Sequence, residues 1–282
     1  MDPRYLIGTA ARTIRGVRVP PALAIAISTM TTLSALMGAP ATQQGVDVAI
    51  DSARGTAIPF MRDLQPAADL PHSRAALEQW AHHNVRGLRV VDLTGIDLVT
   101  ARELVSVAAG LSWDLQLDVE VLAPRARWNE LTGQPSADSP MFANRFGVGV
   151  DPTWWRAYRG RAAENSGSTP AASTDPHVRR YAAHEIAHVW EDTVTALASP
   201  ETARGLRTLV EDYRSALGKD AVISELGPYG WNGGSDHPRD AWRETWAEAF
   251  AHYATDRART SQATRALVAR ALLLYAPPQP DD

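Results

Sequence analysis

Residues 184–188 read His184-Glu185-Ile186-Ala187-His188, and the reading of the whole chain turns on them. On an α-helix, side chains four positions apart lie one turn apart on the same face. The spacing therefore stacks two imidazoles, with a carboxylate beside the first. Two neutral nitrogen ligands and an adjacent general base are what metal-assisted hydrolysis requires. The pattern carries that meaning only on a helix and only with a third ligand, so the flanking sequence decides.

Upstream, Thr174-Asp175-Pro176-His177-Val178 has the form of a helix start. Thr174 or Asp175 can cap the free amides, and Pro176 suits the first helical position. Val178, Tyr181, Ala182, Ile186, Val189, Trp190, Val194 and Leu197 then recur at helical spacing, with no Gly or Pro before Pro200. A long helix with largely apolar surroundings is expected, carrying His184 and His188 on one stripe and Glu185 beside it.

Catalytic zinc usually has three protein ligands. The compact form HExxHxxGxxH would need glycine at 191 and histidine at 194, where this chain has Glu191 and Val194. A later carboxylate is the alternative. Residues 239–253 form a second helical run in which Asp240, Glu244, Glu248 and His252 recur every four positions. Trp242, Trp246, Ala249, Phe250 and Tyr253 give the rest of that helix a large apolar surface. A polar stripe on such a helix is costly to bury without charged partners, and a metal site would supply them. A solvated outer face is the other reading of the same stripe.

HEIAH followed by ETWAEAFAHY resembles the gluzincin branch of the zincin metallopeptidases, most closely compact catalytic domains similar to that of anthrax lethal factor. The likeness spans residues 88–255 at most, and its specific part is the two short motifs. It implies that Glu244 is the third zinc ligand beside His184 and His188. It also implies that Glu248 supports the site from outside, accepting a hydrogen bond from a ligand histidine and fixing its tautomer. Members of this branch often use a Tyr or His to stabilise the tetrahedral intermediate. Tyr229, His237 and Tyr253 are the candidates here, Tyr229 within the turn-rich stretch 227–234 and favoured slightly over His237.

Ahead of the motif, residues 88–94 and 117–122 read as strands, the second with clean alternation. A helix over 100–109 separates them. Residues 145–150 form a third strand whose two glycines suit an edge approached by a peptide backbone. The order strand–helix–strand–strand before the HExxH helix is similar to the zincin core, where an edge strand beside the metal holds extended substrate by strand addition. The expected fold is thus α+β and zincin-like: a small mixed sheet with an edge strand beside the active-site helix, then a mainly helical C-terminal part. Residues 73–83 suggest a short helix, 162–176 a flexible loop, and 200–226 a connecting helix with a solvated face.

At 282 residues and 45% apolar content, the chain can bury one substantial core. Residues 1–41 differ in composition. Arg4, Arg12, Arg15 and Arg18 precede a weakly apolar stretch from Ala22 to Met37 that ends in Ala39-Pro40-Ala41. Basic, then apolar, then small residues is the three-part form of a secretory signal. An uncleaved membrane anchor and an amphipathic helix of the fold stay open. The expected organisation is a signal or anchor over 1–41 and one catalytic domain over 42–282, acting outside the cytoplasm. Without residues 1–41 the chain has 24 Lys+Arg and 31 Asp+Glu, a formal charge of −7, which argues against a broad nucleic-acid surface. Cysteine is absent, so a zinc site must use His, carboxylate and water.

The expected activity is hydrolysis of peptide bonds in a protein or peptide substrate, with Zn²⁺ as cofactor and Glu185 as general base. Two other readings remain at this point. One is a zinc hydrolase of a non-peptide amide such as a cell-wall crosslink. The other is a zincin-like binding domain without activity, against which an intact Glu185 argues.

Overall fold

The apolar spacing that predicts helices over 176–197 and 239–253 is realised almost residue for residue in the computed structural model. The structure describes residues 64, 66–133, 139–166, 175–197, 199–233 and 241–274. In chain order these form α1 (Arg74–Asn84), β1 (Val90–Val91), α2 (Leu98–Asp114), β2 (Val121–Pro124) and α3 (Arg125–Thr132). There follow β3 (Met141–Asn144), β4 (Gly147–Val150), α4 (Pro152–Ser166) and α5 (Pro176–Leu197). The chain then continues through α6 (Pro200–Leu217), α7 (Lys219–Asn232), α8 (Ala241–Thr255) and α9 (Gln262–Leu274). The fold is α+β, with a small mixed sheet and a mainly helical C-terminal half.

The sheet order is β1-β2-β4-β3. β1, β2 and β4 are parallel to one another, and β3 pairs antiparallel with β4. On one face, Leu122, Met141, Val148 and Val150 join the main core with α2 and α5. On the other, Val121, Ala123 and Phe142 pack on Trp128 of α3. Two helical layers therefore sandwich the sheet, and the edge strand β3 lies against α5.

The HExxH helix is α5. Asp175 caps it, accepting from the amides of His177 (3.0 Å) and Val178 (3.4 Å). Its Val178, Ala182, Ile186, Val189, Trp190 and Val194 are all buried, whereas Tyr181 is exposed. α8 packs on it through Trp246, whose ring lies 4.9 Å from Trp190 and whose indole donates to the Ala187 carbonyl (3.3 Å). This aromatic contact seats the two candidate ligand helices side by side.

Several expectations are corrected. The glycine strand 147–150 is internal and not an edge, because β3, which alternation did not reveal, covers its free side. Its glycines serve close approach within the fold. A Cβ at Gly149 would collide with the Phe142 ring, and one at Gly147 with the Val121 carbonyl. The stretch 117–122 enters the sheet only at Val121, and the helix read over 100–109 runs from Leu98 to Asp114. Residues 162–166, expected in a loop, belong to α4. The helix read over 200–226 is two helices broken at Gly218 (φ +77°). The turn-rich stretch 227–234 is helical from Pro228 to Asn232, after a break at Gly227 (φ +84°) that only glycine adopts readily. The signal or anchor read over 1–41, Thr174, His237 and Asp240 lie outside the described residues. Among the described residues, no helix is long and apolar enough to cross a membrane.

Candidate metal centre

One turn of α5 separates His184 from His188, and both imidazoles are withdrawn from solvent. Their Nε2 atoms face each other at 3.1 Å, with the rings 4.8 Å apart and nearly perpendicular. α8 brings Glu244 to the same point, its Oε2 lying 3.1 Å from His184 Nε2 and 3.5 Å from His188 Nε2. Three ligand atoms thus form a triangle with sides of 3.1, 3.1 and 3.5 Å. Ligands about 2.0–2.1 Å from a tetrahedral zinc stand about 3.3 Å apart, so the triangle has the size such an ion needs. Glu244 Oε2 is buried and takes no well-directed hydrogen bond despite both close nitrogens. His184, His188 and Glu244 could hold a metal ion.

The outward nitrogens are also engaged. His184 Nδ1 lies 3.2 Å from Glu248 Oε1, close but not aligned as a good hydrogen bond. Glu248 Oε2 in turn takes Arg180 Nη2 at 2.5 Å. Glu248 thus stands beside the Nδ1 side of His184, away from the triangle. His252, the next position on that stripe, is half-buried with its Nε2 unpartnered among the described residues, and burial, with Arg180 beside it, lowers its pKa.

Electrostatics mark the cluster as strongly coupled. Burial alone would lower the pKa of His184, but its contacts with Glu244 and Glu248 outweigh burial and raise it to about 10. For His188, burial is likewise outweighed by Glu191 and Glu244, giving about 9. Burial would raise Glu244 and Glu248, yet the imidazoles hold both carboxyls well below the usual range. Without metal, protonated imidazoles supply the positive charge these carboxylates require. A divalent cation can take over that role.

Glu185 is 6% exposed, and its charge is felt by His184, His188, Glu244 and Glu248. Burial pushes its pKa up, with the histidines pulling the other way. A carboxylate made more basic by its surroundings suits a proton acceptor working near neutral pH.

Tyr229 lies over the cluster, its ring 6.0 Å from His184 and 48% exposed. Burial and the negative field of Glu244, Glu185 and Glu248 raise its pKa, keeping the phenol a proton donor. Its carrier segment is pinned to α8. Gly230 has no room for a side chain beside Leu226 and Glu248, its carbonyl accepts from Thr245 Oγ1 (2.5 Å), and Arg214 joins Thr245 to the Trp231 carbonyl. Tyr253 is buried with Arg257 over its ring, and no described contact joins it to the ligand triangle.

Arg180 is absent from the residues read out of the sequence, where Tyr181 figures only among the apolar positions of the helix. Arg180 stands four positions before His184, but Arg179 beside it is charged too, so spacing alone does not single it out. Tyr181, exposed one turn before His184, stacks edge-on against Trp155 at 5.5 Å. Its exposure is a tertiary property that helical periodicity does not carry.

Comparison with protein-family models, curated proteins and solved structures finds no match.

Proposed function

We propose that this protein is a zinc-dependent peptidase of the zincin type. The observation that supports it is the triangle of His184 Nε2, His188 Nε2 and Glu244 Oε2, closed to 3.1–3.5 Å with Glu185 buried beside it. Held there, a zinc ion supplies Lewis-acid polarisation and a water acidified towards neutrality. Glu185 accepts the proton of the attacking water as its oxygen bonds to the peptide carbonyl carbon. The carbon–nitrogen bond then breaks, and Glu185 returns that proton to the leaving amine. Tyr229 Oη, kept protonated by its surroundings, donates towards the negative charge that develops on the carbonyl oxygen.

The edge strand supports a peptide as substrate. Asp151 N–H donates to the Pro140 carbonyl (3.0 Å), which fixes the alternation of the β3–β4 ladder. Phe142 and Asn144 turn their main-chain groups towards β4, and Met141 and Ala143 turn theirs away from the sheet. Among the described residues, no backbone hydrogen bond reaches those outward groups. An extended peptide can add there as a fifth strand, beside the helix that carries both histidines.

The test is a peptide-library or casein assay on zinc-loaded protein, alongside Glu185→Gln. Cleavage by the wild type that is blocked by chelator, restored by zinc and lost in the variant is the expected result. Hydrolysis by Glu185→Gln near the wild-type rate would overturn the assignment. Zinc-loaded wild type that cleaves no peptide but hydrolyses an amide crosslink would move the substrate class.

A further inference from the structure

Two ion-pair chains bracket the ligand triangle, and their parentage is exchanged. One runs from His184 Nδ1 to Glu248 and on to Arg180, with the carboxylate from α8 and the arginine from α5. The other runs from His188 Nδ1 to Glu191 Oε2 (3.5 Å), which Arg243 Nε grips at 2.7 Å. Here the carboxylate comes from α5 and the arginine from α8. Residue 180 pairs with 248, and 191 with 243, so the two helices run antiparallel with one chain at each end of the triangle.

Glu191 is 2% exposed, and a carboxylate buried so deeply is costly unless paired. Arg243 supplies the pairing charge. The imidazole Nδ1 faces the same oxygen at 3.5 Å, the outer limit of a hydrogen bond, and a proton held there leaves Nε2 free to bind metal. Arg243 also immediately precedes Glu244. A guanidinium anchored on Glu191, one turn beyond His188, therefore sets where Glu244 meets that histidine. Its other branch reaches Asp192 Oδ1 at 2.5 Å, outside the chain of contacts that leads to His188.

We propose that Glu191 and Arg243 are positioning residues of the metal centre. Glu191 orients His188 through Nδ1. Arg243 holds Glu191 and sets the register of Glu244 against His188. The inference rests on the zinc reading of the triangle. It goes beyond it by assigning a metal-tuning role to an ion pair that would otherwise only join two helices.

The experiment measures zinc affinity of the full chain by competition with a chromophoric chelator. It compares wild type, Glu191→Gln, Arg243→Gln, Arg243→Lys, the Glu191→Gln/Arg243→Gln double variant and Asp192→Asn. Imidazole ¹⁵N shifts of the zinc-loaded proteins and thermal stability of the metal-free proteins are recorded on the same samples. Each of the first two substitutions is expected to weaken zinc binding about 10–100-fold. The double variant is expected to be no weaker than the weaker single, because the two residues act in series. The Nδ1 resonance of His188 should move in Glu191→Gln while that of His184 stays. Asp192→Asn, which also removes a carboxylate from Arg243, should bind zinc within about twofold of wild type, and Arg243→Lys should recover part of the loss.

Zinc affinities of Glu191→Gln and Arg243→Lys both within about twofold of wild type, with an unmoved His188 resonance, would overturn the inference and leave the zinc reading intact. Wild type that takes up no zinc would remove both. Glu191→Gln is isosteric and Arg243→Lys keeps its charge, so the test does not depend on Arg243→Gln folding.

Discussion

Two buried charged clusters touch α5, and they differ in what balances their carboxylates. At its N-terminal end, arginines do so. Asp97 and Asp175 both meet Arg159, at 2.9 and 3.3 Å, and Glu103 meets Arg179 at 3.3 Å while accepting from the Asp175 amide. Thr100 and Ser106 add hydroxyls to the arginines. Guanidinium is always charged, so the positive side of this cluster does not change at any ordinary pH. Midway along α5, two imidazoles stand among Glu185, Glu244 and Glu248, and imidazole, unlike guanidinium, has a neutral form that can bind a metal. The first cluster fixes the start of the helix. The second leaves a demand for positive charge that a metal ion could meet.

The sharpest way to break this contrast is catalytic. Glu185→Gln should lower turnover about 10²–10⁴-fold, with zinc affinity changed only a few-fold, as read by steady-state cleavage and chelator competition. Tyr229→Phe should lower kcat by about 10²-fold with KM nearly constant. A loss seen in KM alone would make Tyr229 a binding group.

A pH experiment comes next. His184 and His188 have raised pKa values in the metal-free fold, about 10 and 9. Their contribution to stability is therefore fully present below the ordinary histidine value and is lost as pH rises through 9–10. Glu244 and Glu248 are depressed, so their contribution is present above the ordinary carboxylate value and is lost as pH falls through their lowered ones. The metal-free cluster thus stabilises most between about pH 4.5 and 6.5. Zinc requires neutral imidazoles, so the zinc-induced rise in Tm should grow from pH 6 to pH 9 in thermal scans. A rise that shrinks over that range would mean the histidines do not bind the ion.

The smallest effect belongs to the arginine-balanced cluster. Glu103→Gln should destabilise the fold by about 2 kcal/mol in denaturant titrations and leave zinc affinity unchanged. A change in metal binding would show that the two clusters are not separate.

How much of this could be read in advance follows from where each signal resides. The turn spacing of His184 and His188 and the four-residue stripe of Glu244 and Glu248 are local periodicities, and they place those residues on facing helices. β3 was missed because Met141-Phe142-Ala143-Asn144 shows no alternation. Met141 and Phe142 are both buried, on opposite faces of the sheet. The glycines of β4 were recognised as marking close approach, but the approaching groups, Phe142 and Val121, come from neighbouring strands. Arg180, Glu191 and Arg243 act across the α5–α8 interface, and sequence spacing within one helix cannot reveal a partner on another.

The central claim is that one metal ion joins α5 to α8 through His184, His188 and Glu244. Zinc content and zinc affinity of wild type beside Glu244→Ala test it most directly, with metal-free stability measured on both. One zinc per chain in the wild type, and an affinity lowered in Glu244→Ala by more than the roughly 100-fold typical of losing an outer partner, is the predicted result. A wild type that takes up no zinc, or a Glu244→Ala variant that binds it equally well, would contradict the account.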